Sequence, residues 1–575
     1  MIKKYLLFLL LLCMIPFTVD AQRIRSQDVF QSATEAYTSF EFEQAATLFA
    51  SIDSPEAQLM AGKSFYALGR FSEALPFLKE AKKNATADIY HEASFTISLV
   101  KLNTREFSRA FDLLHEVIQN TPDQSLKAKA ISLFDDFNKF LLPNQRIDAV
   151  RESHHSAVRE ALMMYGVKHS SQDDGAFLIG QAVQLGMSPD FIAQLRRNQT
   201  YYIDNVTFTP VVPKGFTYNV GVLLPQQNRN EQVYNVSREL YFGLLMAVEQ
   251  FNSDQDDIRV AIHVAEADSG TTLEEMITDL AESKNADVIF GPLFSQDAST
   301  VAQLSKKLNI PVLAPLANAE ELGGISEWFF QSNPTFSVRG KKMAEVAFNK
   351  LGYRDVSIMN DRNSSGAIEA RAFRQRMEEL GANIVHHFEI DFRMRRFDVA
   401  DFTQHFAGHE SFLQDTTITL RQVDAVFLPL TGTASNTMID IVLTDLQVFR
   451  SRVSVLGTED WGMQRINQEA VGRFNIVYSG IFDRRMDGDR ARNFLRNYRN
   501  RFGHTPELFA LNGFDNGMFI LNAFREAGHP SYLANTLRNM DIFKGVAQNI
   551  HFQGTQVNQA VEPRLLTQTG YIVIQ

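Results

Sequence analysis

The sequence predicts a multidomain protein, an α-helical domain followed by a two-lobed α/β domain, on three observations. Residues 27–122 carry apolar and small side chains at helical spacing, with Phe and Ala recurring at a fixed offset. Beyond residue 217 the pattern changes to short apolar runs alternating with amphipathic stretches, which is the pattern of a parallel sheet. Residues 285–318 then read as one complete strand–helix–strand unit. Val288–Phe290 stops at Gly291-Pro292, Asp297–Leu308 is helical, and Ile310–Ala314 ends at Pro315. At 575 residues, 45% apolar and 21% charged, the chain is too long for a single core and has the composition of a folded, soluble protein.

The amino terminus reads as an export signal over residues 1–21. Lys3 and Lys4 precede an apolar run, Tyr5–Ile15, and Val19-Asp20-Ala21 suits cleavage before Gln22. The one cysteine, Cys13, follows Leu12 rather than the small residue that lipid attachment needs. The expectation is therefore a periplasmic protein with a cleaved signal, no lipid anchor and no membrane span in the mature chain. That chain would hold no cysteine, which excludes disulfides, thiolate nucleophiles and Cys-bound zinc. A net charge of −11 argues against nucleic acid or anionic lipid as the main partner.

No Gly-x-Ser-x-Gly elbow, Walker loop, His-Glu-x-x-His or dinucleotide glycine pattern occurs, so no catalytic residue, cofactor or metal site is expected. Glu378-Glu379 falls on a helix surface. His154-His155 would point about 100° apart on a helix and reads as solvated. His386-His387 lies in a strand pattern, where only one ring can face a core.

In the helical domain, expected over 27–200, Phe42, Phe71 and Phe107 each stand three residues before Ala45, Ala74 and Ala110. Phe49, Leu78 and Leu114 follow four residues later. The spacings of 29 and 36 residues bracket the period of about 34 of tetratricopeptide repeats, which this segment resembles. Ala130–Leu142, Ile147–Tyr165 and Phe191–Arg197 read as further helices that cap the stack. Residues 201–216, with Pro210 and Pro213-Lys214-Gly215, read as a linker.

The α/β domain is expected over 217–575, with one lobe from 217–333 and 482–575 and the other from 334–481. Ser295 and Asp297 follow one strand of the first lobe and Asn318 follows the next, at the carboxyl-end rim where open α/β sheets bind ligands.

Several stretches resemble the type I periplasmic-binding-protein family, in its branched-chain amino-acid branch. They are Tyr218–Pro225, Gly243–Asn252, the Gly291-Pro292 corner with Ser295, Asn309–Val312, Val455–Glu459, and Phe543–Gly545 leading to His551–Gly554. The resemblance implies that Ser295 and Asn318 hold a ligand carboxylate, while Glu459, with Asp460 beside it, holds an ammonium. Ser365 and Thr431 stand where the family commonly carries tyrosines that close over the ligand. Helical repeats ahead of this fold are also similar to the outer-membrane activators of a class A penicillin-binding protein, in which both domains serve protein contact. The reading that follows is a non-catalytic exported binding protein, an envelope scaffold or regulator. Its repeats would meet an envelope protein, and its cleft would sense an amino acid or other small polar solute. The alternative is the solute-binding receptor of an amino-acid ABC importer.

Overall fold

Small residues at helix contacts set the architecture of the first 200 residues, where the chain is helical from residue 27 to Asn198. Ala45, Ala74 and Ala110 are all fully buried, as are Phe49, Leu78 and Leu114, so these recurring positions are core; of the leading Phe residues, Phe71 and Phe107 are buried and Phe42 half-buried. Gly62 lets two helices touch, because a Cβ there would lie 2.5 Å from Leu78 Cγ. Ser54, Ser171 and Ser188 begin helices by accepting the backbone N–H three residues on, which satisfies one orphan donor each.

The structure is a computed structural model that describes residues 27–83, 85–199, 212–225, 231–254, 258–265, 270–293, 295–483, 485 and 488–574, apart from the side chains of Ser295 and Gln296. The expected signal segment and residues 201–211 of the expected linker lie outside the described residues. Contacts divide the chain into two compact units, one reaching Tyr218 with Asn252–Ala261, the other Asn219–Phe251 with Ile262–Gln575. Among the described residues no helix is long and apolar enough to cross a membrane.

One expected helix is two. The stretch read as Ile147–Tyr165 is broken between Pro143–Glu152 and Ser156–His169. At the break the Asp112 carboxylate accepts from Ser153 Oγ at 2.5 Å and His154 N at 2.9 Å. Pro143 follows the end of the helix Gln124–Phe140 and occupies the first turn of the next, where its missing N–H costs nothing.

The α/β unit holds two sheets. The first contains β1 (Phe216–Val222), β2 (Ile258–Val264), β3 (Val288–Phe290), β4 (Val312–Ala314) and β5 (Phe329–Gln331), in the order β2-β1-β3-β4-β5. All seven residues of β1 are buried, as both faces of a parallel sheet must be. The second contains β6 (Asp355–Asp361), β7 (Asn383–Ile390), β8 (Ala425–Leu428), β9 (Ser454–Gly457) and β10 (Val477–Gly480), which pair in parallel. After the hairpin β11 (Phe543–Lys544) and β12 (Asn549–Ile550), β13 (Glu562–Thr567) and β14 (Gly570–Val573) complete the second sheet. Its order is β14-β13-β10-β9-β8-β6-β7.

That order corrects the expected lobe boundaries. The helix Leu508–Ala527 does return to the first lobe, where Gly513 and Gly243 let its backbone press on the helix Glu231–Asp254. The end of the chain does not stay there. Residues 562–565 pair antiparallel with β10, and β14 pairs with β13, so both extend the second sheet, where Leu565 and Ile574 pack against the core cluster that holds Leu456 and Val477.

The chain thus crosses between lobes three times, after β5, after β10 and after β12. Buried polar groups tie the crossings together. The Ser332 carbonyl accepts from Gln548 Nε2 at 2.7 Å and Asn558 Nδ2 at 2.8 Å. Asp515 accepts the backbone N–H groups of Val546, Ala547 and Gln548 at 2.6, 2.7 and 2.9 Å.

Candidate functional site

In the second sheet the chain runs from β6 to β7 on one side and returns to β8 on the other, so strand order reverses between β6 and β8. Side chains cannot fill the crevice outside the carboxyl ends there, and ligands bind in such crevices. Here it is a cavity of about 450 Å³, lined among others by Asp361, Ser365, Asp391, Arg393, Phe397 and Thr431. Two of the expected residues meet in it. Ser365 Oγ and Thr431 Oγ1 lie 3.0 Å apart, and Thr431 Oγ1 also accepts the Gly366 N–H at 3.1 Å. The hydroxyls therefore fasten the loop after β6 to the loop after β8.

Gly366 makes this approach feasible, since a Cβ there would fall 1.8 Å from the Pro429 carbonyl oxygen. Gly366→Ala must push the two loops apart. The expected result is a loss of about 1–3 kcal/mol of stability, together with widening of the Ser365–Thr431 pair, measurable by denaturant melts and a crystal structure of the variant.

The other expected residues are placed as follows. Ser295 opens the helix Ser295–Leu308 at the rim of the first sheet, but its side chain lies outside the described residues. Asp297 is exposed in the first turn of that helix, where a carboxylate complements the helix dipole. Asn318 is half-buried after β4. Glu459 and Asp460 begin a short turn after β9, anchored by the fully buried Trp461, whose Nε1 donates to the Leu428 carbonyl at 3.1 Å. Glu459 Oε1 accepts the Phe482 N–H at 3.2 Å, so this carboxylate also holds the second crossing. Asp460 accepts long bonds from Thr458 Oγ1, at 3.4 Å, and Ser435 Oγ, at 3.5 Å. Burial pushes the Asp460 carboxyl above its ordinary range, with Arg339 pulling the other way.

Arg339 and Glu369 are functional candidates that reading the sequence missed. Arg339 is 9% exposed, donates to Asn333 Oδ1 and the Pro334 carbonyl at 3.0 Å each, and lies over the Phe336 ring. Glu369, 1% exposed, shares its electrostatic neighbourhood with Arg339, Asp460, Glu459 and Glu320. The Glu320 carboxylate of the first lobe accepts the Ser337 N–H at 2.9 Å, at the start of the helix Phe336–Asn349 in the second. One signal for Arg339 was available. A cation in the first turn of a helix opposes the helix dipole and needs a reason to be there.

Among the described residues no three His, Cys, Asp or Glu side chains are grouped to hold a metal ion. A family model described as periplasmic binding protein matches residues 217–570. No curated protein sequence matches the chain. Solved structures that resemble it include an ABC transporter substrate-binding protein from Desulfitobacterium hafniense in complex with Leu, 18% identical, covering 62% of this chain and 99% of that one, with a TM-score of 0.43. Another is an ABC transporter substrate-binding protein from Sphaerobacter thermophilus, 19% identical over 62% of this chain and 96% of that one, TM-score 0.43. A third is the branched-chain amino acid transporter substrate binding protein LivJ from Streptococcus pneumoniae in complex with isoleucine, 17% identical over 62% and 99%, TM-score 0.37.

Proposed function

We propose that this chain, which belongs to the periplasmic binding protein family, is an exported, non-catalytic envelope protein that binds a small polar ligand and contacts a protein partner. The observation that carries the ligand half is the polar cavity at the strand-order reversal of the second sheet, with Ser365 and Thr431 at its back. An amine-bearing ligand suits Asp361 and Asp391, the carboxylates that line this cavity. The helical unit is assigned to protein contact, on the strength of its repeated Phe–Ala spacing and because stacked repeats offer extended surfaces to protein segments.

The test is calorimetric titration of the full chain with single amino acids and other small polar amines, backed by thermal shifts. A ligand at 100 times its Kd should add about 2.7 kcal/mol of stability. Asp361→Asn should then cost roughly 2–5 kcal/mol of binding, because the ligand ammonium loses a charged partner in the cavity. Absence of any binding across the panel would sink the ligand half. The importer-receptor reading draws on the same acidic and hydroxyl groups. Tight amino-acid binding lost in Glu459→Ala, with no protein crosslinked through the helical unit, would favour it. Amino-terminal sequencing of the exported protein should begin at Gln22.

A further inference from the structure

Among the described residues, His386 Nε2 and His405 Nδ1 are buried ring nitrogens with no hydrogen-bond partner, away from the pocket. His386 sits on β7, the edge strand of the second sheet. Alternation along the strand turns His386 and Phe388 to one face and His387 to the other, where His387 Nε2 meets Asn360 Oδ1 at 3.1 Å. The short turns Ala400–Thr403 and Gln404–Phe406 cover the His386 face. The His405 ring centroid is 5.0 Å from that of His386 and 5.2 Å from that of Phe388, and Phe402 is 5.2 Å from Phe388. Val399 and Phe406 continue from this stack into the core. The segment that ends in the stack begins with Asp391, Arg393 and Phe397, which line the ligand cavity.

We propose that His386 and His405 form an acid-sensitive latch that holds residues 391–421 on the sheet edge and so keeps one wall of the cavity in place. Neutral imidazoles stack among phenylalanine rings with one unbonded nitrogen each but no net charge. Protonation would put a new N–H donor where no acceptor exists, and two cations side by side. The groups that face the pair are few. Arg421 opposes a charge on His386, and each imidazole opposes a charge on the other. Asp415 favours a charge on His405, but its carboxylate already accepts from Thr417 N at 2.9 Å and Thr417 Oγ1 at 2.6 Å. Burial, the largest cause, holds both imidazoles below their ordinary range. The folded segment therefore binds fewer protons than the released one. Its attachment is complete at neutral pH and is lost as pH falls below about 6.5, the ordinary imidazole value, toward the lowered ones. The latch does not depend on what the cavity binds.

Hydrogen exchange of the full chain, corrected for intrinsic rates, tests this at about pH 7.5 and about pH 5. Protection of residues 391–421 should fall at least about tenfold on acidification, while the helix Ser295–Leu308 in the first lobe should change little. The double variant His386→Phe, His405→Phe keeps the rings and removes the protons, so it should hold its protection at both values. Unchanged protection in the natural chain, or the same loss in the variant, overturns the latch. Should the variant fail to fold, NMR titration of the two imidazoles in the natural chain decides. Midpoints below about 6.5, the ordinary imidazole value, sustain the proposal, and midpoints at or above it overturn it. Tightening of 391–421 by one equivalent of Zn²⁺ at neutral pH would mark the pair as a metal site and overturn it as well.

Discussion

Asp515→Ala should destabilise the α/β unit by about 3 kcal/mol or more, the largest loss expected from a single truncation in this chain. Asp515 is fully buried within the helix Leu508–Ala527, and its two oxygens accept three consecutive backbone N–H groups of the β11–β12 hairpin. Gln548, the last of these donors, passes the link on. Its side chain accepts from Asn512 Nδ2 at 2.7 Å and donates to the Ser332 carbonyl, next to the first crossing. Truncation leaves three amides without partners in a site that water does not reach, each costing about 1–3 kcal/mol. Removal of a buried charge offsets part of that cost. Burial raises the Asp515 carboxyl to about 6 in spite of its three donors. The natural side chain therefore stabilises most in its protonated form, and its contribution declines as pH rises from about 4 through about 6. Urea denaturation followed by circular dichroism measures the loss. A change below about 1 kcal/mol would mean that the crossings are held by other groups.

The same crossings show which features of the fold were legible in the sequence. Strand, helix and strand over 285–318 could be read because each apolar run is short, continuous and stopped by proline, and both neighbouring connections are tight. The parallel order and the two-lobed α/β architecture follow from repetition of that unit. The tail was misassigned for a physical reason. Residues 562–573 form an antiparallel hairpin, and nothing local in Leu565, Leu566 or Ile572 says which of two sheets will accept it. Only pairing with β10, at the end of the second lobe's stretch, decides the matter. The break at Ser153 was equally invisible, since it depends on Asp112, about forty residues away in sequence.

Ser365 and Thr431 entered only through the family resemblance. In the structure each follows a strand by a few residues, and the rim of a parallel sheet brings such positions together. Charged residues inside helices were not legible. In Gly366–Glu379, a sequence dense in Arg and Glu reads as a solvated face, and Glu369 has the same local context as Glu378. The difference lies in the partner helix. Gly340 has no side chain, and a Cβ there would fall 2.3 Å from the Glu369 carbonyl oxygen. Two helices that close together cover whatever stands at the contact, including a carboxylate.

That carboxylate leads to the second large effect, which has the opposite sign. Glu369→Gln should stabilise the protein at alkaline pH by a few kcal/mol and leave it nearly unchanged near pH 5. Glu369 Oε1 has no hydrogen-bond partner and Arg339 makes no ion pair with it among the described residues. Burial therefore dominates and raises the carboxyl to about 8, while Asp460, Glu459 and Glu320 add to the rise and Arg339 opposes it. A carboxyl raised in the folded state stabilises fully below its unfolded value, about 4.5, and loses that contribution as pH rises through about 8. The natural chain should accordingly lose stability between about pH 5 and about pH 9 more steeply than the glutamine variant, whose amide cannot ionise. Thermal melts of both proteins across that range read the difference directly. Parallel curves would mean that Arg339 neutralises Glu369 after all, and a variant less stable at every pH would mean that the second oxygen makes a bond the amide cannot replace. Because Asp460 lies in the same field, ionisation of Glu369 would also raise the cost of a charge on Asp460.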